Sequence, residues 1–213
     1  MKRTILTLTG IVLAFFTMAN GQFERALGKN IPLIFSSQSS EELQGVINQL
    51  ERISAAETDR WESHYYTAFG YLQMSGMYKE ATDKDKFLSL AMDAVKKGQK
   101  IDADNSELVA LEGYVIMMQL VIDPGTRGMT HAGAATETFY KAIQLDGKNP
   151  RAHYLLGRMK YGTSQFMGGG TEDACKSLNV AKELFESLEP STNPILPSWG
   201  KGATDEALAQ ICK

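Results

Sequence analysis

Leu43, Val46, Ile47, Leu50 and Ile53 are spaced by three and four residues, the period of a single helix face. Ser39 and Glu42 stand ahead of them as a capping box, so "SSEELQGVINQLERI" predicts a first amphipathic helix. The same period recurs and predicts six more helices, at about 61–77, 84–101, 105–122, 132–146, 150–162 and 171–188. Pro190, Pro194 and Pro197 make "EPSTNPILPSWGKG" unfit for a helix. Beyond it, "DEALAQIC" predicts a short last helix from about Thr204. No run alternates polar and apolar residues as a half-buried strand would. The pattern describes an all-α chain.

The helices also repeat. Gly70 in "TAFGYLQM", Gly113 in "ALEGYVIMM" and Gly157 in "YLLGRMKY" lie 43 and 44 residues apart. A second element follows each glycine. In it Ala91, Ala135 and Ala174 correspond, then Val95, Phe139 and Leu178, then Gly98, Ala142 and Ala181. Small, large and small residues at i, i+4 and i+7 share one helix face. Small residues admit a neighbouring helix closely, and the large one fills the space between.

These residues resemble the tetratricopeptide (TPR) repeat, a pair of antiparallel helices. Leu156-Gly157 matches its first helix, and Ala135, Phe139 and Ala142 match its second. "LDGKNP" and "IDADNS" resemble its closing turn. The likeness covers roughly residues 61 to 189. It implies an α-solenoid of about three TPR-like helix pairs. The first helix would cap it at one end, and the Pro-rich segment with the short last helix at the other. The repeats exceed the family's usual length of about 34 residues. The excess falls between paired helices, in "GMYKEATDKDK", "DPGTRGMTHAG" and "GTSQFMGGG", which are expected to be loops, with a turn at Pro124-Gly125.

The first residues change the picture of where the chain works. Lys2 and Arg3 precede an apolar run from Ile5 to Met18, and Ala19-Asn20-Gly21 offers small residues before Gln22. That order predicts a signal peptide over residues 1–21, cleaved before Gln22, with a single domain over 22–213 and an exported, periplasmic location. No later run is long and apolar enough for a transmembrane helix. Cleavage removes two positive charges from a chain of formal net charge −3. An acidic chain without a basic run is a poor partner for nucleic acid. Two cysteines, Cys175 and Cys212, fit one disulfide in an exported protein, or two buried thiols.

Candidate chemistry is sparse. His64, His131 and His153 lack metal-ligand spacing. His153 is expected in the core. The methionines of the helices are expected to be packing filler, copper ligation being the alternative. "MGGGTEDACKS" has glycines before a helix start, but Glu172 and Asp173 in the first turn would repel a phosphate, so a glycine turn with Thr171 as N-cap is expected. No nucleophile or acid–base arrangement stands out, so neither an enzyme nor a bound cofactor or metal is expected.

The resemblance supplies the candidate site. In that family the first helices of the pairs line a concave groove, through residues three before and one after the glycine. Carried over, the groove would present Thr67, Tyr71 and Met74, then Ala110, Tyr114 and Met117, then Arg151, Tyr154, Arg158 and Tyr161. Tyr71, Tyr114, Arg151, Tyr154 and Arg158 are the ligand-binding candidates. The two arginines, seven residues apart with Tyr154 between, would hold a carboxylate. The function this implies is non-catalytic recognition of a peptide or protein in the cell envelope. A small-molecule binder with the long loops as a lid is the alternative.

Overall fold

The computed structural model describes residues 21–189, 191 and 193–213. The predicted signal segment lies, except for Gly21, outside them. Every regular element among the described residues is a helix. A helix α1 covers residues 21–36. It is followed by α2 (Ser40–Ala56), α3 (Trp61–Met77), α4 (Ala81–Ile101), α5 (Ser106–Ile122), α6 (Pro124–Leu145), α7 (Pro150–Met167), α8 (Glu172–Ser187) and α9 (Lys201–Ile211). None of these helices is long and apolar enough to cross a membrane.

Helix α2 forms for the reasons its sequence states. The Ser39 hydroxyl accepts from the Glu42 amide at 3.2 Å, and the Glu42 carboxylate accepts from the Gln38 amide at 2.9 Å. Leu43, Val46, Ile47 and Leu50 are buried. Helices α5 and α7 begin alike. The Asn105 side chain caps Leu108, and that of Asn149 caps Arg151 and Ala152. Asn149 also donates to the Ser106 hydroxyl at 2.9 Å, tying the two helix starts side by side.

Pairs α3–α4, α5–α6 and α7–α8 pack as antiparallel hairpins and stack in order. Phe139 and Leu178 are fully buried in the hairpin interiors. A Cβ on Gly113 would lie 2.5 Å from Phe139, and one on Gly157 2.8 Å from Leu178, so glycine sets the helix approach in both pairs. Gly70 differs. Its face meets α2, where a Cβ would lie 2.9 Å from Ile47. Gly113 and Gly157 are the eighth residues of their helices, whereas the eighth residue of α3 is Ala68. The first repeat is therefore shifted by two residues from the register its glycine implies.

Three other expectations are corrected. The N-terminal end is a pair, α1 and α2, not one helix. Phe23, Leu27, Ile31 and Ile34 of α1 are buried in the same cluster as α2 and α3, and Pro32 lies on the exposed side of α1. The supposed intra-repeat loops are mostly helix. Asp123 ends α5 and caps α6 by accepting from the Thr126 amide at 3.1 Å, and Pro124 takes the first helical position, where its missing N–H costs nothing. Arg127 then clamps this extra length onto α4 with a two-point pair to Asp85 at 2.7 and 2.6 Å. Helix α7 continues to Met167 and stops at Gly168, which has φ of 73°. The extra residues lengthen the helices and leave no lid. His153, finally, is not core. It is partly exposed and its Nε2 lies 3.2 Å from the Gly147 carbonyl.

At the other end, Cys175 and Cys212 are joined by a disulfide with Cα atoms 5.7 Å apart. It fastens the end of α9 to the start of α8. Between α8 and α9 the described residues have no regular structure, and Ile195 and Trp199 fasten this segment, a strap, to the helices.

Candidate functional site on the concave face

Helices α3, α5 and α7 form the inner row of the solenoid. Counted from each helix start, the fifth residues are Tyr65, Ala110 and Tyr154, and the ninth are Phe69, Tyr114 and Arg158. The strap lies against this row. Its Ile195 is fully buried in the first core cluster. Its Trp199 packs against both core clusters, as Tyr114 does. The Trp199 indole donates to the Tyr65 hydroxyl at 2.8 Å. Its ring centroid lies 5.1 Å from Phe69, 6.1 Å from Tyr114 and 6.5 Å from Tyr154. Ala110 is small where its neighbours in the row are tyrosines, which leaves room for the indole.

Gly200 makes this seat possible. Its φ is 113°, and a Cβ there would fall 2.6 Å from Phe185 and 3.5 Å from Arg151. A side chain would be both strained and crowded.

Arg151 sits beneath the strap, 6% exposed. Its Nε and Nη2 donate to the two carboxylate oxygens of Glu107 at 2.7 and 2.6 Å, and Nη1 donates to the Trp199 carbonyl at 3.2 Å. Burial works against its charge, but the hydrogen bonds and charge of Glu107 outweigh it and hold the guanidinium protonated. Each of its three nitrogens is engaged and the side chain is buried, so Arg151 braces the strap rather than facing a ligand. The expected two-arginine clamp is not formed.

Tyr71 is also placed elsewhere. It is buried beside α2, donates to Glu51 at 2.7 Å and stacks on Phe87 at 6.4 Å. The two-residue register shift accounts for this. Tyr65 and Phe69 occupy the places that Thr67 and Tyr71 were expected to fill. Counting from the helix start rather than from Gly70 would have found them. Met74 is likewise in the core.

Tyr114, Tyr154 and Arg158 do come together. Arg158 is exposed and its Nη1 donates to the Tyr154 hydroxyl at 3.2 Å. Among the described residues no carboxylate lies within ion-pair distance of it. Burial raises the pKa of Tyr114, with the Tyr154 charge adding to it and Arg158 opposing it, so this phenol stays neutral. The twelfth residues, Met117 and Tyr161, lie one turn further along and are partly exposed. The lower half of the concave face is thus plugged by Trp199. The upper half offers the partly exposed Tyr114 and Tyr161 rings, the Met117 thioether and the Arg158 guanidinium, which has no acidic partner among the described residues.

Stacked helix pairs with a lined inner row define a TPR-like helical-repeat fold, an all-α solenoid. The structure resembles the HusA haemophore from Porphyromonas gingivalis with a TM-score of 0.77 and 21% identity, over 89% of this chain and 92% of that one. A thermophilic TPR protein of Thermus thermophilus aligns with a TM-score of 0.56 and 13% identity, over 95% and 98%. No family model matches the sequence, and no curated protein does.

Proposed function

We propose that the protein is an exported carrier that does no chemistry and binds a planar, largely apolar anion of the haem type on the upper concave face. The observation that carries this is Arg158, an exposed guanidinium without a carboxylate partner among the described residues, held by the Tyr154 hydroxyl at the rim of the partly exposed Tyr114, Met117 and Tyr161. Flat rings gain contact area on aromatic and sulfur-bearing side chains. A guanidinium fork takes a carboxylate at two points. Recognition is assigned to the ring, through Tyr114 and Met117, and to its carboxylates, through Arg158. The likeness to a haemophore supports a tetrapyrrole over other planar anions. The order of residues 1–21 supports export.

One observation favours a second reading, a peptide or protein partner. The strap is itself a non-helical segment with an aromatic anchor, Trp199, seated on the concave face. A partner peptide would have to displace it.

Haemin and metal-free protoporphyrin should each be titrated into the secreted protein carrying Trp61→Phe, which leaves Trp199 as the fluorescent reporter. Saturable quenching by both is expected. Arg158→Ala should weaken both about tenfold, equivalent to ~1.4 kcal/mol, with an unchanged melting temperature. Absence of saturable binding by either porphyrin overturns the reading. Peptides that release Trp199 from Tyr65 would put the second reading in its place.

A further inference from the structure

A different face of α7 holds a second feature. Its fourth, seventh and eleventh residues, His153, Leu156 and Lys160, line an open groove of about 240 Å³ with Tyr140 and Ile143 of α6 and Val180 of α8. Leu156, Ile143 and Val180 make an apolar floor. Tyr140 stands exposed at its edge, and Val180 on the floor is itself open to solvent. Into this setting Lys160 brings a charge that no direct ion pair takes up among the described residues, although the Asp173 carboxyl feels it at longer range. Its Nζ donates to the Ser177 hydroxyl at 3.0 Å and lies 5.8 Å from the centre of the Tyr140 ring. An ammonium has three donors, and no carboxylate stands within ion-pair distance of Lys160 among the described residues. Lys176 at the same mouth pairs with Asp173 at 3.0 Å, both being largely exposed, an arrangement worth little in water and easily exchanged for another anion.

A partly buried cation beside an apolar floor is complementary to a carboxylate with an apolar tail. We propose that this groove is a separate site for a medium-chain monocarboxylate, with its head on Lys160 and Lys176 and its chain over Ile143, Leu156 and Val180. At ~30 Å³ for each water-sized group, the groove takes about eight heavy atoms. A chain of about that length is held, and a longer one emerges into solvent.

The test is a titration of the full secreted protein with octanoate, followed by amide chemical shifts, with octanol and octylammonium as controls. Saturable shifts should centre on Ile143, Leu156, Lys160 and Val180. Lys160→Gln should weaken octanoate at least tenfold, octanol should bind more weakly, and octylammonium should not bind. Val180→Glu, which sets a carboxylate at the floor, should abolish binding as a second, independent block. Arg158→Ala should leave octanoate binding unchanged, which separates this site from the porphyrin face. The proposal is overturned if octanoate gives no saturable shift, if the shifts lie elsewhere, if Lys160→Gln binds as tightly as the parent, or if octanol binds as well as octanoate.

Discussion

Replacing Arg151 by alanine should cost the fold about 3 kcal/mol. The guanidinium is 6% exposed and gives two short hydrogen bonds to Glu107, whose side chain is 18% exposed. It also holds the Trp199 carbonyl at 3.2 Å and lies 5.8 Å from the Phe185 ring. Truncation therefore strands a mostly buried carboxylate, frees a strap carbonyl and leaves a void under the strap. Breaking a buried pair by removing one partner typically costs ~3–5 kcal/mol. The residual exposure of Glu107 lets water replace part of the loss, which places the effect at the lower end. In a chain of this size, ~3 kcal/mol lowers the melting temperature by roughly 6–12 °C. Urea unfolding of Arg151→Ala, Glu107→Gln and the double variant would measure the coupling, expected at ~1–3 kcal/mol. Replacing the pair by Met and Leu should recover most of the stability, since apolar residues of similar volume avoid the desolvation cost. If Arg151→Ala leaves stability within about 0.5 kcal/mol and weakens porphyrin binding instead, Arg151 faces a ligand and the strap is not braced as described.

Gly70→Ala should destabilise by ~1–3 kcal/mol through overpacking against α2; because the atom it would crowd is Ile47 Cγ1, Ile47→Ala should shrink that penalty in a double-mutant cycle by urea unfolding, whereas trimming Phe139 should relieve Gly113→Ala instead. Replacing Cys175 and Cys212 by serine opens a cross-link spanning 37 residues, and calorimetry should find a loss of about 4 kcal/mol by the chain-entropy model, with proteolysis beginning in the strap. The Asp85 carboxyl is held below its ordinary range, first by hydrogen bonds from Arg127; a depressed carboxylate stabilises above its unfolded pKa and loses this as pH falls through the folded one. The destabilisation by Arg127→Ala should therefore be present at neutral pH and shrink on acidification, and a constant difference across that range would count against the clamp.

The apolar residues were enough to place α3 within its observed limits and α2, α5 and α8 within a few residues; side-chain caps mark the starts of α2 and α5 but not those of α3 and α8. They failed at α1, where Gly28 and Pro32 interrupt the pattern although Phe23, Leu27, Ile31 and Ile34 keep the spacing. They failed again at Pro124-Gly125, because a proline that starts a helix and one that makes a turn look alike until the Asp123 cap is counted. The site was half legible. Tyr114, Tyr154 and Arg158 follow from the repeat register, but Tyr71 does not, since Gly70 packs against α2. The plug was the least accessible feature. Trp199 reaches Tyr65 across 134 positions of sequence, and no local pattern encodes such a contact. The Gly200 conformation was the nearest sequence signal, visible as a glycine between Trp199 and the last helix.

A crystal structure of residues 22–213 with metal-free protoporphyrin tests the central claim most directly. The account predicts the macrocycle against Tyr114 and Met117, one carboxylate within hydrogen-bond distance of Arg158, and Trp199 still bonded to Tyr65. A porphyrin bound on another face, or one lying beneath a displaced strap with Arg158 free, would contradict it.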